Sequence, residues 1–379
     1  MAEDRIIYLD NAATTLPNKD VVALYCELET KSFGNSGSIH KLGMNSLNYL
    51  NKARESIFNS FGVKNYKVYF TSSSTEANNL AIKGYCYKYS NRGKRIITSN
   101  VEHSSVLETF KALEEEGFEV IYLPVNKEGV IEIEDLKKAM NNETILVSLM
   151  AVNNEIGSIN PIKEISAVVH KFPKANLHVD TTQAIGKISF NYNDADMFVI
   201  SGHKIHGLKG CGALIAKQNI SFIPLINGGG QEDGFRSGTV AVAQACALAK
   251  ALKIEMEKTS NVKPLYDCLI SELKNIDGVE LNSPENSSKY IVNFSLTKKK
   301  ASVVVEALSN KGIFVSSVSA CNSKKEPLSL TVKNIGKSDV LAHNTIRVSL
   351  DDENTLEEIK IFTSELKKIL ESIKWFTIT

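Results

Sequence analysis

The stretch DMFVISGHKIHG, residues 196–207, joins an apolar run to a turn containing glycine, histidine and lysine. The four consecutive apolar residues at 197–200 predict a strand buried on both faces, which is typical of a parallel sheet covered by helices. In such sheets ligands bind outside the carboxyl ends of the strands. Lys204 therefore stands where a ligand is expected, between His203 and His206. The ordinary alternative is a lysine that extends from the edge of the core into solvent.

Strand and helix patterns alternate on both sides of this stretch, from about residue 67 to residue 217. Beyond Gly238 a long helix is predicted over residues 239–258, followed by short strands with helices between them. We therefore predict an α/β fold with a mostly parallel central sheet. The expected division is a large domain over residues 15–254 and a smaller α/β domain made of residues 1–14 and 255–379.

Composition excludes several classes of protein. The chain has 379 residues, 43% of them hydrophobic, and a formal net charge of +1. The sequence has no basic face that would indicate direct nucleic-acid binding. None of its apolar runs approaches the roughly 18 residues of a membrane span. The acidic N-terminus does not resemble a signal peptide. Six cysteines without Cys-x-x-Cys pairs predict no metal site or disulfide framework, and they fit a reducing cytoplasm.

Two polar segments follow predicted strands at 67–71 and 95–99. In TSSSTEANN (71–79), hydroxyls and the free N–H groups of a new helix form a cradle for an anion such as phosphate. A plain helix cap is the alternative. In EHSSV (102–106), His103 can stack on a ring or transfer protons near neutral pH. A capping or core histidine is the alternative there.

A third segment, HVDTTQ (178–183), ends a strand with Asp180. A buried carboxylate needs a partner, and a cationic ring nitrogen suits it, with Gln183 near a ring oxygen. A capping aspartate is the alternative. Lys204 can act as a nucleophilic amine when burial or a nearby cation lowers the pKa of its ammonium group. Phosphate cradle, ring stacker, carboxylate and lysine together predict a site for pyridoxal phosphate.

Cys321 lies in SSVSACNSKKEPLSL (316–330), between small residues and a lysine-bearing segment. This setting predicts an exposed loop, in which nearby cations favour the thiolate. The alternative is an unremarkable surface thiol. The other five cysteines lie in apolar or helical patterns and are expected mostly in the core.

Across nearly its whole length the chain resembles the cysteine desulfurases of the NifS/IscS type, which are fold-type I pyridoxal phosphate enzymes. The motifs that carry the resemblance stand in the family's order: YLDNAATT (8–15), FGNSGSIHKLG (33–43), TSSSTEANN, EHSSV, NNEIG (153–157), HVDTTQAIGK (178–187), SGHKIHGLKGCG (201–212), GGGQEDGFRSGT (228–239), SVSACNS (317–323) and IRVSL (346–350).

The resemblance implies how pyridoxal 5′-phosphate is held. Lys204 would bond to its aldehyde, Asp180 would pair with the pyridine nitrogen, and Gln183 would contact the ring hydroxyl. His103 would stack on the ring and assist proton transfer. The phosphate would be held by Ser74, Thr75, Ser201 and His203, with Thr239 contributed by the other subunit of a homodimer.

The resemblance also implies the reaction. Asn154 would lie beside cofactor and substrate, while Arg347 and Asn35 would bind the carboxylate of L-cysteine. Cys321 would attack the substrate sulfur, keeping it as a persulfide while L-alanine leaves. The sulfur would pass to an acceptor protein, either an iron–sulfur scaffold or a tRNA-thiolation enzyme. Three alternatives stay open: a selenocysteine lyase, an aminotransferase, or an inactive partner-binding scaffold.

The chain departs from the family's pattern at several places. It has GNSGS (34–38) where members usually read GNPSS, and TSSSTE where they read TSGATE. The second change puts Ser73 where a glycine lets the backbone approach a phosphate closely. Leu208 replaces a proline, and the Cys321 segment is about one residue shorter and more basic than usual. No named catalytic group is lost.

Overall fold

The computed structural model describes residues 6–317 and 328–372, which fold into helices packed around two main sheets and a short two-stranded ribbon. The α-helices are α1 Lys19–Lys31, α2 Lys41–Phe61, α3 Ser74–Asn79, α4 Tyr85–Tyr89, α5 Ser104–Glu115, α6 Ile133–Ala139, α7 Ile162–Val169, α8 Val242–Glu257, α9 Val262–Lys274, α10 Ala301–Ser309, α11 Leu330–Asn334, α12 Asp339–His343 and α13 Leu356–Ser372. The strands are β1 Ile7–Tyr8, β2 Tyr66–Thr71, β3 Arg95–Ser99, β4 Glu119–Leu123, β5 Thr144–Met150, β6 Asn176–Asp180, β7 Met197–Ser201, β8 Gly212–Lys217, β9 Val279–Leu281, β10 Ile291–Leu296, β11 Ile313–Phe314, β12 Ser316–Ser317 and β13 Thr345–Ser349.

The larger sheet has seven strands in the order β2-β8-β7-β6-β5-β3-β4. Only β8 runs antiparallel to its neighbours β2 and β7, so the predicted α/β fold with a mostly parallel sheet is confirmed. Every residue of β5 and β7 is buried, as their continuous apolar runs predict. Because β2, β3, β5, β6 and β7 point the same way, the segments that follow them all emerge at one edge of the sheet.

The smaller sheet has the antiparallel order β12-β13-β10-β9, and α9, α10 and α13 pack around it. Its apolar core includes Phe294 and Phe362, and Ile7 of β1 belongs to the same core. Strand β1 pairs with β11, which brings the start of the described chain to this sheet. We propose on this basis the two domains expected from the sequence, residues 15–254 and residues 1–14 with 255–379.

The segment from Asp10 to Asn18 is held by both sheets. Its Ala12 amide donates to Ser349 Oγ of β13 at 2.9 Å. Further along, the amide of Thr15 donates to the carbonyl of His203 at 2.8 Å, just after β7. The segment therefore forms a wall between the smaller sheet and the carboxyl edge of the larger one, which positions the site described below.

Two predicted helices differ in detail from the structure. The helix predicted from residue 239 begins at Val242, because Gly238 has φ +113° and the residues after it continue a loop. The new helix predicted within TSSSTEANN (71–79) continues through a π-helical turn, Leu80–Gly84, between α3 and α4. The helical run is continuous from Ser74 to Tyr89, so the turn that begins at Ser74 is the first turn of a long helix.

The cysteines of the described residues are distributed largely as expected. Cys86, Cys211 and Cys246 are buried, Cys268 is half-buried, and Cys26 is exposed on α1 rather than packed in the core. Within residues 6–317 and 328–372, none of the helices combines the length and apolarity that crossing a bilayer requires.

Candidate active site

Lys204 lies in a short 3₁₀ turn, Gly202–Lys204, directly after β7. Its Nζ donates to the carbonyl oxygens of Ala12 and Ala13 at 2.7 and 2.6 Å. Two carbonyls from the N-terminal wall therefore fix the position of the amine at the carboxyl edge of the sheet. The sequence predicts the lysine but not these acceptors, because nothing in the pattern shows that the first residues of the chain reach β7.

Asp180 ends β6 and is buried, with 6% of its surface exposed. Its Oδ2 accepts from Asn78 Nδ2 at 2.9 Å, and its Oδ1 accepts from the amide of Thr182 at 2.9 Å. Two N–H donors suit an ionised carboxylate. The prediction that this aspartate is a buried anion at a strand end agrees with these contacts, and Asn78, to which the sequence assigned no role, holds it in place.

A hydrogen-bond chain connects Asp180 to His103, the N-cap of α5. Asn78 Nδ2 also donates to Ser105 Oγ at 2.9 Å, so the Ser105 hydroxyl is free to donate to His103 Nδ1 at 2.9 Å. The amide of Ser105 donates to the same ring nitrogen. Because Nδ1 is an acceptor, a neutral His103 carries its proton on Nε2.

The pKa of His103 is lowered although the residue itself is exposed. Desolvation by the protein around it is the main cause, the carboxylate of Asp180 opposes it, and the positive charges of Lys204 and Arg347 add to the lowering. A neutral imidazole at physiological pH can both stack on a ring and exchange a proton.

Glu102, next to His103, is a buried carboxyl group that sequence reasoning missed. Its Oε1 accepts from Ser99 Oγ at 2.6 Å. Desolvation, with a smaller contribution from the charge of Asp180, raises the pKa of Glu102 to about 8, although the hydrogen bond from Ser99 opposes the rise. Of the two neighbouring carboxyl groups, Glu102 is thus held neutral, while Asp180 has the N–H donors that stabilise a charge.

Four residues predicted to bind phosphate lie after β2 and β7. Ser74 and Thr75 form the first turn of α3, where backbone N–H groups have no acceptor within the helix. Ser201 ends β7, and its hydroxyl is fully buried with no hydrogen-bond partner among the described residues. His203 Nδ1 contacts Thr14 Oγ1 at 3.2 Å. Burial and the charges of Lys204 and Lys209 lower the pKa of His203 to about 4, so it is neutral at pH 7.

Ser73, which stands where members of the resembled family have a glycine, has φ −170° and ψ 166°. Any residue adopts this extended backbone, so no glycine is needed for it. The Ser73 hydroxyl accepts from the amide of Glu76 at 3.2 Å and caps α3. Close packing occurs instead at Gly212, where an added Cβ would lie 2.8 Å from the Ser73 carbonyl carbon. Ser73 therefore acts as the N-cap of α3, and the backbone amides of Ser74 and Thr75 remain in the first turn of this helix.

Arg347 projects from β13 toward the NNEIG segment. Its two terminal nitrogens donate to the Asn154 carbonyl and to Asp10 Oδ1, each at 3.0 Å. Its Nε is buried with no partner among the described residues. The guanidinium thus joins the smaller sheet to the wall of the site, and it brings Asn154 and Arg347 together.

Three predicted residues stand apart from this cluster. Asn35, between α1 and α2, is exposed, and its Oδ1 accepts from the amide of Gly37 at 2.9 Å. Thr239 is exposed in the loop before α8. Cys321 lies outside the described residues.

Three comparisons agree on the family. The family model described as "Aminotransferase class-V" matches residues 7–362. A protein from Lactobacillus delbrueckii subsp. bulgaricus named "NifS/IcsS protein homolog" is 40% identical over 96% of this chain and 97% of its own length. A protein from Dictyoglomus turgidum named "Cysteine desulfurase IscS" is 39% identical over 98% of this chain and 96% of its own length.

The chain belongs to the class-V aminotransferase family. Its fold matches a solved "NIFS-LIKE PROTEIN" with a TM-score of 0.90 and 34% identity, covering 97% of this chain and all of the other. A second solved structure, "SspA in complex with cysteine", has a TM-score of 0.81 and 31% identity, covering 92% of this chain and all of the other. The predicted resemblance to NifS/IscS proteins and the fold-type I architecture are confirmed.

Pyridoxal phosphate is the cofactor of this family, and the side chains of this class-V enzyme fit it. The buried, unpartnered Ser201 hydroxyl needs an acceptor or donor, which a phosphate oxygen provides. The amides at the start of α3 offer further donors to the same anion. Asp180 offers a fixed negative charge for a protonated ring nitrogen, and Lys204 offers an amine for an aldehyde.

The sequence missed the residues that orient this enzyme's site. Asn78 and Glu102 are buried and Lys187 is partly buried, but the sequence around them does not show this burial. Their partners come from segments distant in the chain, so the pattern could not show which groups they contact.

Glu102→Gln tests the neutral state of the buried acid. In the folded chain its pKa is raised to about 8 from an ordinary 4.5, so folding favours the protonated form. Wild-type stability is full below pH 4.5, and it falls as the pH rises to about 8. Glutamine mimics the protonated acid at every pH. We expect the variant's thermal midpoint to exceed the wild type's by at least about 2 °C at pH 8.5 and to match it near pH 4.5.

Scanning calorimetry of the cofactor-loaded proteins at both pH values measures this difference. The control is Glu128→Gln, an exposed carboxylate on a turn, for which the difference should not change with pH. A Glu102→Gln variant that is less stable than the wild type at pH 8.5 would show that folding does not raise the pKa of Glu102.

Proposed function

We propose that this chain is a pyridoxal phosphate-dependent cysteine desulfurase that removes sulfur from L-cysteine and holds it as a persulfide on Cys321. The observation that carries the proposal is the arrangement of four side chains. Lys204, Asp180, His103 and Arg347 come from four distant segments, and the charges of the other three act on His103. Relatives named cysteine desulfurase cover nearly the whole chain, and the solved relative SspA is in complex with cysteine.

When bound, pyridoxal phosphate supplies an aldehyde that takes up the substrate amine and a ring that draws electrons from its Cα. This chain's own residues supply the rest. Asp180 keeps the ring nitrogen protonated, and Arg347 orients the substrate carboxylate. Lys204, once its amine is released, moves the proton at Cα. Neutral His103, with its proton on Nε2, can donate this proton to the substrate and take it back afterwards.

Cys321 follows Ser317 by four residues, and Ser316 pairs with Arg347 across β12 and β13. The chain therefore enters the segment that contains Cys321 beside Arg347. On the other side of this segment, the Ser329 hydroxyl donates to Glu155 Oε2 at 2.5 Å, next to Asn154. Both described ends of the segment thus lie beside the pocket, which supports Cys321 as the group that takes the sulfur.

In the transfer, the Cys321 thiolate forms a new S–S bond with the substrate sulfur while the substrate's C–S bond breaks. The carbon fragment gains a proton and leaves as L-alanine. The persulfide is then passed to an acceptor protein, for which we propose an iron–sulfur scaffold or a tRNA-thiolation enzyme in the cytoplasm. An aminotransferase needs no cysteine at position 321, so this residue separates that alternative from a desulfurase.

Cys321→Ala tests the assignment. The variant should keep the visible absorbance of the bound cofactor and lose sulfide release by about 1000-fold or more, since the nucleophile is removed. The assay supplies L-cysteine with a reductant and measures sulfide and alanine. Mass spectrometry of the wild type without reductant should find one added sulfur on the peptide containing Cys321.

The matched control is Cys26→Ala, which removes the exposed thiol of α1 and should leave turnover unchanged. Full sulfide release by the Cys321→Ala variant, or an added sulfur only on Cys26, would contradict the proposed role of Cys321.

We also propose a homodimer in which Thr239 reaches the phosphate of the partner. Large apolar side chains are exposed along the segment that contains Asn35, and Ile39 is 96% exposed. Clusters of this kind commonly mark a protein interface. The members of this exposed group are Leu16, Phe33, Ile39, Leu42 and Met44.

Ile39→Asp should break this assembly, because a charge in a buried interface is costly. Light scattering should give about twice 41.7 kDa for the wild type and about 41.7 kDa for the variant. The monomer should bind the cofactor more weakly, since Thr239 of the second copy is lost. The control is Val303→Asp on the exposed face of α10, which should stay dimeric. A monomeric wild type would refute the proposal.

A further inference from the structure

Lys187 has an amine that the reaction above does not use. Lys187 follows Gln183 by four residues in the turn after β6. The backbone amide of Lys187 donates to the Ala184 carbonyl at 3.0 Å. This spacing brings the two side chains together, and Lys187 Nζ donates to Gln183 Oε1 at 3.0 Å. The side chain of Gln183 is buried, so this contact is not shared freely with solvent.

The orientation of the Gln183 carboxamide is fixed from two sides. Lysine can only donate, so the amide oxygen must face Lys187. The carbonyl of Ala12 can only accept, so the NH₂ group must face it, at 3.0 Å. The same carbonyl accepts from Lys204 Nζ at 2.7 Å. The NH₂ group of Gln183 therefore lies on the side of the catalytic amine, and its oxygen points away.

We propose that Lys187 is a positioning residue that makes Gln183 present its NH₂ group, and not its oxygen, to the ring oxygen of the cofactor. This inference rests on the proposed function, which assigns Gln183 to that ring oxygen. Without Lys187 only the contact with the Ala12 carbonyl holds this orientation. The carboxamide then turns over more readily, because its oxygen and nitrogen have nearly the same shape.

The orientation matters because the ring oxygen carries negative charge. A donated N–H would stabilise this charge. The ring oxygen would then attract less strongly the proton on the nearby nitrogen, which is the Nζ of Lys204 bonded to the cofactor. The pKa of that nitrogen is thereby lowered. An amide oxygen in the same place would repel the ring oxygen and raise the pKa of the nitrogen.

Charged groups surround Lys187 and also contribute. Burial lowers the pKa of Lys187 to about 8, with Glu255 and Asp351 opposing the effect and Lys258 and Arg347 adding to it. Loss of any cation from this cluster could act on the site through space alone. The experiment must therefore separate the contact with Gln183 from the charge.

The experiment is a pH titration of the visible absorbance of the cofactor-loaded enzyme. For Lys187→Met we expect the midpoint to rise by about one pH unit, the order expected when a hydrogen bond to a charged oxygen is lost. Lys187→Arg keeps a donor and should return the midpoint toward the wild type. In a Gln183→Ala background, adding Lys187→Met should change the midpoint by less than about a third of its effect alone, since the partner is gone.

The matched control is Lys258→Met, which removes a cation of the same cluster that pairs with Glu255 and Asp352. An equal shift in this control would assign the effect to charge and overturn the proposal. An unmoved midpoint in Lys187→Met, or an undiminished effect in the Gln183→Ala background, would also overturn it. Absence of the visible band in the wild type would instead refute the proposed function.

Discussion

The contact of Lys204 with the carbonyls of Ala12 and Ala13 is the constraint on which the site depends. It joins the end of a central strand to a segment that is also bonded to β13 of the smaller sheet. The catalytic amine is therefore positioned by both layers of the protein at once. Arg347 of β13 makes a second connection to this wall, because its guanidinium donates to Asp10 and to the carbonyl of Asn154. The groups proposed to bind substrate and cofactor are held in fixed relative positions because they share this wall.

Around the amine, the protein separates two neighbouring carboxyl groups by environment. Asp180 receives two N–H donors, whereas Glu102 has a hydroxyl donor and is buried deeply enough to remain neutral near pH 7. A second negative charge beside Asp180 would repel it. A neutral Glu102 avoids this repulsion, and Asn78 and Ser105 connect Asp180 to His103.

Much of the fold follows from local pattern. The continuous apolar runs of β5 and β7 predict a buried parallel sheet, and the polar segments after its strands predict where Asp180, His103 and Lys204 meet. What the pattern could not show depends on contacts between distant segments. Asn78 lies 102 residues from Asp180, and Ala12 lies 192 residues from Lys204. Comparison with the family's glycine predicts a strained backbone at Ser73, but the observed backbone is extended and needs no glycine. The role of Cys321 comes from the resemblance to its family.

The most direct measurement is the covalent position of the cofactor. The loaded enzyme is treated with borohydride, which makes the bond between amine and cofactor permanent, and is then digested for mass spectrometry. The account predicts the added mass on the peptide containing Lys204, at one cofactor per chain. Modification at Lys187 or another lysine, with Lys204 unmodified, would contradict the central claim that the wall formed by Ala12 and Ala13 positions the reacting amine.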